Sequence, residues 1–179
     1  MASERYGTLQ VALHWVSAAL ILFSLFTGKL VLRDLPNDAD KIVPLGIHVV
    51  AGALIGIVIL ARLLVRYTAP QPAPARTGNA TLDGLAQVVH AATYLCAIGV
   101  VASGIALAIQ AALPAIVLGG SKAPLPGDFW QFTSRHVHAY FTWALLAAVA
   151  LHAVGALYHQ FVRGDGLLAR MWFARRPAR

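Results

Sequence analysis

The chain alternates between long apolar runs and short polar segments. Four runs have about 20 or more mostly apolar residues, the length that a helix needs to cross the hydrocarbon core of a bilayer. These runs are residues 9–32, 43–66, 82–111 and 136–162. The segments between them are rich in helix-ending residues, such as 34–40 with three Asp and 69–75 with three Pro. The pattern predicts an all-α integral membrane four-helix bundle, formed by residues 1–179 as a single domain.

Composition agrees with a membrane protein. Of the 179 residues, 59% are hydrophobic and only 12% are charged, whereas a soluble domain carries about 25% charged residues. The mean hydropathy is +0.69. The first run is longer than the apolar core of a signal peptide and carries His14 and Trp15, so we expect it to be retained as a span. The long connection 112–135 begins apolar, and we expect it to fold over the outer mouth of the bundle.

The basic residues are distributed unevenly between the two sides of the predicted bundle. Cytoplasmic segments of membrane proteins carry an excess of Lys and Arg, and this excess sets the orientation. Because four spans return the chain to its starting side, the larger basic group predicts that both termini are cytoplasmic. The charges lie close to the membrane ends, which argues against nucleic-acid binding. The larger group is Arg5, Arg62, Arg66, Arg76, Arg163, Arg170, Arg175, Arg176 and Arg179, and the smaller is Lys29, Arg33, Lys41, Lys122 and Arg135.

Four histidines lie inside the apolar runs: His14, His48, His138 and His152. An ionisable side chain in hydrocarbon is costly, so each is a candidate for function. His138 and His152 are 14 residues apart, which places them on one helix face about 21 Å from each other. The predicted orientation puts His14 at the depth of His152, on the cytoplasmic side, and His48 at the depth of His138, on the periplasmic side. The sequence therefore predicts two metal-holding imidazole pairs stacked across the bilayer.

The ligand set favours haem over zinc. Zinc prefers four ligands, usually including Cys or carboxylate, but the cores of the runs hold no acidic residue and the chain has one cysteine, Cys96. Haem iron takes four ligands from the porphyrin and accepts two axial imidazoles. A single cysteine also excludes Cys-x-x-Cys-His attachment, so a haem would be held non-covalently. With both axial positions filled, the chemistry would be electron transfer.

Small residues follow several of these histidines at helical spacing. They leave room for a bulky cofactor, although the same pattern also serves helix packing in membranes. Their occurrence beside three of the four histidines tips the balance modestly towards a cofactor. The residues are Ala18, Gly52, Gly56, Gly155 and Ala156.

Several segments together resemble the bacterial cytochrome b561 family of small di-haem cytochromes of the inner membrane. The segments are residues 9–15 (LQVALHW), Ile47-His48, residues 62–66 (RLLVR) and the pattern His138-x13-His152-x6-His159. The resemblance covers essentially the whole chain. It implies two b haems with His14/His152 and His48/His138 as axial ligands, and electron exchange with ubiquinone. Some members are thought to oxidise superoxide at the periplasmic face, and similar cytochromes serve as subunits of hydrogenases or formate dehydrogenases.

The other histidines keep more than one interpretation. His159 lies seven residues after His152 and is either a proton donor to the quinone, the role that the resemblance favours, or an interfacial histidine at a helix end. His90 is best explained as a buried histidine bonded to a backbone carbonyl, ahead of a place in the quinone pocket, on a proton path or beside a haem propionate. His136 fits a surface role or a propionate contact better than a metal clip with His138.

Basic residues near the span ends have two candidate roles. Arg62, Arg66 and Arg135 would either bind haem propionates or act as snorkelling anchors. If the basic residues of the periplasmic side surround the outer haem, they would also steer a small anion such as superoxide towards it. That side has a slight basic excess, with Lys29, Arg33, Lys41, Lys122 and Arg135 against Asp34, Asp38, Asp40 and Asp128.

The sequence thus predicts an oxidoreductase that moves electrons across the membrane. A periplasmic donor, superoxide or a redox partner protein, would supply electrons through two bis-histidine b haems to ubiquinone near the cytoplasmic side. One alternative is an electron-relay subunit of a hydrogenase-like or formate-dehydrogenase-like complex. Another is a haem-free four-helix transporter or proton relay that uses its histidines for coupling.

Overall fold

The computed structural model describes residues 5–173, and this part of the chain contains helices and no β-strand. The long helices are α1 (Thr8–Phe26), α2 (Ala39–Thr68), α3 (Ala80–Gln110) and α5 (Thr133–Leu157), with short helices α4 (Leu113–Val117) and α6 (Leu167–Arg170). π-Helical turns extend α1 over Thr27–Val31 and α5 over Tyr158–Arg163. Four helices are long and apolar enough to cross a membrane. The prediction of an all-α chain with four spans is confirmed.

Two helix starts lie earlier than the apolar runs predict because polar caps begin them. The Asp38 side chain accepts a hydrogen bond from the backbone N–H of Asp40 and starts α2. The Asn79 side chain accepts from the backbone N–H groups of Thr81 and Leu82 and starts α3. Such side chains satisfy backbone donors that the first turn leaves free. Hydropathy does not register these polar first turns, which explains the shift of four residues for α2 and two for α3.

The bundle consists of two helix pairs. α1 packs along α2, α3 packs along α5, and contacts between α2 and α3 join the pairs. α3 packs tightly against α5 at Gly99, because a Cβ added to this glycine would lie 2.5 Å from a ring carbon of Phe141 on α5. The core where the pairs meet is formed by Ile21, Ile55, Ile59, Cys96, Ala97 and Leu145.

The described ends of the chain meet at one end of the bundle, which we call the proximal end. The backbone N–H of Tyr6 donates to the carbonyl of Arg170 at 3.2 Å, and Trp15 Nε1 donates to the carbonyl of Met171 at 2.8 Å. Four antiparallel spans require this common end. Arg175, Arg176 and Arg179, which contribute to the predicted orientation, lie outside the described residues.

The opposite, distal end is covered by the long connection between α3 and α5. α4 lies against α2 and α3, and Leu113, Ile116 and Leu125 are buried there against Ile42 and Leu45 of α2. The connection therefore folds onto the bundle as its apolar start indicates. Elsewhere the long helices expose large apolar side chains, as lipid-facing surfaces do; examples are Ile57, Leu60, Leu64, Leu95 and Ile109.

The close approach of α3 to α5 leads to a stability prediction. Gly99→Ala should destabilise the protein by about 1–3 kcal/mol, because the added methyl group overlaps the Phe141 ring. Gly84→Ala is the matched control on the same helix, since its Cβ meets no atom within 4 Å. Thermal unfolding in detergent compares the two variants. Equal melting temperatures would contradict the tight α3–α5 contact.

Candidate functional site

The four histidines of the apolar runs form two pairs inside the bundle, and in each pair a ring on α5 lies opposite a ring on another helix. The ring centroids of His14 and His152 are 6.1 Å apart, and those of His48 and His138 are 6.4 Å apart. Metal–imidazole bonds of about 2.0–2.1 Å would hold two opposed rings about 6.4 Å apart, centroid to centroid. Both separations therefore fit a metal ion between two axial imidazoles.

Hydrogen-bond partners on neighbouring helices decide which ring nitrogen of His48 and His138, the distal pair, carries the proton. His138 Nδ1 lies 3.0 Å from the carbonyl oxygen of Val100, which can only accept a hydrogen bond. His48 Nδ1 lies 3.2 Å from Thr27 Oγ1, whose own proton is directed to the carbonyl of Ser24. Both Nδ1 atoms thus donate, and Nε2 of each neutral ring keeps its lone pair for a metal.

Sequence reasoning missed these supporting groups. It considered only His90 on α3, yet Val100 and Ser103 of this helix orient His138; Ser103 Oγ is 3.3 Å from His138 Nδ1. A backbone carbonyl leaves no sequence signal. The hydroxyls of Thr27 and Ser103 inside apolar spans were a usable signal, because such groups need partners in hydrocarbon.

Glycines make room around both pairs in two different ways. A Cβ added to Gly28 or Gly104 would lie 3.2 Å from Cε1 of His48 or His138, so each distal ring lies against a glycine. Gly52 and Gly155, near His48 and His152 in sequence, would place a Cβ in open space. Gly56 instead approaches Val101 of α3 and serves helix packing. No protein side chain therefore occupies the space directly beside Gly52 and Gly155.

Arg62 of α2 lies beside the proximal pair, His14 and His152. Its Nη1 donates to Ser17 Oγ at 2.6 Å, and its Nη2 is 3.2 Å from His14 Nδ1. A guanidinium has only donors, so His14 Nδ1 accepts here and Nε2 carries the proton. Metal binding through His14 Nε2 therefore requires Arg62 to release Nδ1.

Arg62 is half-buried in an apolar span without an acidic partner. Among residues 5–173, the one ion pair within 4.0 Å joins His159 and Asp165. A desolvated cation without a counter-ion is costly. Arg62 is thus placed to bind an anionic group of a ligand, which would also draw the guanidinium away from His14.

His90 corrects one prediction. The side chain is exposed rather than buried, and no hydrogen bond to a backbone carbonyl is formed in the described part of the chain. Its ring centroid lies 5.1 Å from that of His152. The interpretation of His90 as a buried, carbonyl-bonded histidine is therefore wrong. α3 is apolar on all sides, so its sequence does not reveal which face is buried.

The remaining sequence-selected residues lie at the ends of the bundle. His136 is exposed and its Nε2 is 2.9 Å from the carbonyl oxygen of Trp130. The guanidinium of Arg135 lies over the Trp130 ring, 4.2 Å from its centroid. Arg66 is exposed at the proximal end of α2. Within residues 5–173, no three His, Cys, Asp or Glu side chains group as metal ligands.

Basic side chains gather near the distal pair. Lys41 is only 7% exposed, and its Nζ donates to Asn37 Oδ1 at 2.7 Å. Lys29 Nζ lies 3.5 Å from the centroid of the Trp143 ring. Arg135 is near enough to act electrostatically on Lys29, Lys41 and both distal imidazoles. In the described part of the chain none of these cations has a carboxylate within 4.0 Å.

His159 lies at the proximal end, in the π-helical turn that follows α5. The side chain is buried, and Nδ1 forms a hydrogen bond with Asp165 Oδ2. That bond, as the main cause, lowers the pKa of Asp165 below its usual value. His159 is therefore a buried imidazole with a carboxylate partner, which the sequence did not pair with it.

The comparisons with known proteins identify the family. The sequence pattern of the prokaryotic cytochrome b561 family matches residues 5–174. The chain belongs to the prokaryotic cytochrome b561 family. Cytochrome b562 of Cereibacter sphaeroides is 32% identical over 93% of this chain and 94% of that protein. Cytochrome b561 homolog 2 of Escherichia coli is 27% identical, over 94% and 91%. The probable superoxide oxidase CybB of Yersinia pestis is 26% identical, over 94% and 96%.

No solved structure matches the chain. Membership of the cytochrome b561 family makes b-type haem its cofactor and transmembrane electron transfer its chemistry. Together with the four spans, it indicates a protein of the bacterial inner membrane. The imidazole spacings and the room at Gly52 and Gly155 suit a haem. The comparisons offer no support for the haem-free transporter alternative.

The glycine beside His138 provides a test of how α3 supports this b561-family site. Gly104→Val should push the His138 ring away from Val100 and weaken haem binding at that position roughly 10- to 100-fold. Gly84→Val makes the same change at an open position of α3 and should leave haem binding intact. Haem content per chain and the reduced absorption spectrum measure the effect. Equal haem content in the two variants would show that the contact has no influence on the ligand.

Proposed function

We propose that the chain holds two b haems, one between His14 and His152 and one between His48 and His138, and conducts electrons between the two membrane surfaces. The observation that supports it most directly is the pair of imidazole separations, 6.1 and 6.4 Å. Each bound haem would supply a one-electron iron couple whose axial positions are both taken, which suits electron transfer rather than oxygen binding. The 14-residue interval on α5 sets the two levels about 21 Å apart.

The polypeptide's part in this function is to orient the ligands. Val100 and Thr27 accept from the Nδ1–H groups of His138 and His48, which would leave Nε2 of each ring free to hold an iron. Hydrogen bonds of this kind fix ring orientation and raise ligand basicity. Arg62 would bind a haem propionate at the proximal pair, which would satisfy its unpaired charge. Arg135 is the corresponding candidate at the distal pair, while exposed Arg66 fits a snorkelling anchor.

The proposed orientation places the proximal end in the cytoplasm and the distal end in the periplasm. The larger basic group supports this orientation, because Arg5, Arg163 and Arg170 belong to the segments at the proximal end. The proximal histidine pair then lies towards the cytoplasm, and both chain termini are cytoplasmic.

Superoxide is the proposed donor at the distal end, and ubiquinone is the proposed acceptor at the proximal end. Loss of one electron converts superoxide to O₂, and the electron passes inward through the two haems. The unpaired cations near the distal pair support an anionic donor, and the name of the Yersinia pestis relative agrees with it. A role as a subunit of a larger redox complex has less support. The distal connections, residues 32–38 and 111–132, offer a partner protein little surface.

The ligand assignment has a direct spectroscopic test. His48→Ala and His152→Ala should each remove one haem and leave the other, because each change removes one axial ligand. His136→Ala is the matched control, since this exposed imidazole contacts Trp130 and neither pair. Haem content and reduced b-type spectra of the purified proteins give the result. Retention of both haems in either ligand variant would make the assignment wrong.

The superoxide role has its own test at the distal cations. Lys41→Gln should slow superoxide-driven haem reduction roughly threefold to tenfold at low salt and reduce its dependence on ionic strength. Lys122→Gln removes the same charge from an exposed loop residue and serves as the control. Stopped-flow absorption at several salt concentrations measures both. An equal effect of the two changes, or a rate that salt does not alter, would contradict local steering.

A further inference from the structure

The pair formed by His159 and Asp165 connects the interior of the bundle with its surface. The side chain of His159 is 11% exposed, whereas that of Asp165 is 32% exposed. Nδ1 of the imidazole and Oδ2 of the carboxylate are 2.5 Å apart. His159 lies in a π-helical turn, a distortion that is frequent at functional sites. A buried titratable ring therefore has a solvent-reaching anionic partner.

The turn after α5 is built to hold the Asp165 carboxylate in this position. Gly164 and Gly166 flank it with φ of +62° and +67°, conformations that glycine adopts without strain. Asp165 Oδ1 accepts a hydrogen bond from the backbone N–H of Leu167, while Oδ2 is left for His159. Bonds from Tyr6 and Trp15 to the segment 170–171 tie the following residues to the bundle. The carboxylate is thus fixed rather than free to rotate in solvent.

A cleft of 630 Å³, a volume within the usual range of small-ligand pockets, adjoins this turn. Its lining includes residues next to both members of the pair: Gln160 follows His159, and Gly166 follows Asp165. The remaining lining is largely apolar and aromatic, with one cation. These residues are Arg5, Phe161, Leu168, Ala169, Trp172 and Phe173.

The charged and titratable groups around the pair are few. Arg163 of the same turn acts on Asp165 electrostatically and favours its carboxylate form. Arg5 faces the turn from the N-terminal segment, across the cleft. Tyr158 places its ring edge-on to His159, with centroids 6.1 Å apart. Arg170 of α6 donates to the carbonyl of Ala73 instead. Asp165 is therefore the anion that directly contacts His159.

We propose that Asp165 is a positioning residue that holds His159 as a proton donor to the quinone. This inference rests on the proposed reduction of ubiquinone at the proximal end. The carboxylate accepts from Nδ1–H and stabilises the imidazolium, which leaves Nε2–H to be given away. For each electron that the quinone receives, one N–H bond at Nε2 breaks and one O–H bond forms on a quinone oxygen. Cytoplasmic water then returns a proton to the ring, and two such rounds yield the quinol.

The test compares Asp165→Asn with the parent in purified haem-loaded protein. An amide oxygen still accepts the Nδ1–H bond but carries no charge to stabilise the imidazolium. The quinone-linked rate of haem oxidation should fall about tenfold at pH 7. The pH at which this rate is half-maximal should move about one unit lower. Haem spectra and superoxide-driven haem reduction should stay unchanged. Asp128→Asn, which removes a carboxylate at the distal end, is the matched control.

A stability measurement gives a second readout. Because the pKa of Asp165 lies below its usual value of 3.8, the carboxylate stabilises the fold above that pH. This stabilisation is lost as the pH falls through the lowered pKa. The melting temperature of the parent should therefore exceed that of Asp165→Asn at pH 6, and the difference should vanish in acid. A difference that keeps its full size as the pH falls well below the lowered pKa would overturn the ionic pairing, and with it the proposal.

The outcomes separate this inference from the proposed function. A parent that reacts with quinone, beside an Asp165→Asn variant with the parent's pH profile, would overturn only the role of Asp165. A haem-loaded parent that fails to react with quinone would overturn both. The double variant Asp165→Asn/His159→Gln adds a control for misfolding. It should be no slower than His159→Gln alone if the two residues act as a unit, and additive losses would contradict the proposal.

Discussion

The packing of α5 against α3 is the contact on which the site depends. α5 carries one imidazole of each pair, and its rotation about its own axis decides whether both rings face α1 and α2. Gly99 and Gly104 let the two helices approach closely, and the Val100 carbonyl then receives His138 Nδ1–H. The same contact that buries the helix therefore also sets the tautomer of the ligand. Stability and cofactor binding are coupled through one interface, since a shift of α5 would misplace both pairs together.

Charge in this molecule is arranged for ligands rather than for internal ion pairs. Arg62 at the proximal pair, and Lys29, Lys41 and Arg135 at the distal pair, have no carboxylate within 4.0 Å among the described residues, and only Lys41 is influenced by a carboxylate further away, that of Asp38. Such cations are costly in an apolar environment, so their retention points to anions supplied from outside the polypeptide. Haem propionates and an anionic electron donor are the proposed anions.

At the proximal end, by contrast, a titratable side chain has an internal ionic partner. There the chain supplies its own anion, Asp165, and fixes it between two glycines in left-handed conformation. A buried imidazole that is paired with a carboxylate is suited to carry a proton, whereas an imidazole that donates to a carbonyl is suited to carry a metal. In the proposed function, His138 of α5 and His159 of the following turn would carry different chemistry, and the partner of Nδ1 would make the difference.

The sequence by itself determined the number of long apolar helices and which histidines share a level of the bundle, because hydropathy and helical spacing follow directly from residue order. The family was also readable, since the positions of His14, His48, His138 and His152 are specific. Only the tertiary structure decided what each ring touches. The roles of Val100 and Thr27, the exposed position of His90, the lack of an acid near Arg62 and the pairing of His159 with Asp165 depend on helix rotation and on turn geometry. The hydrophobic pattern of a helix that is apolar on all sides, such as α3, does not indicate which face packs against the bundle, because every face is compatible with contact to lipid.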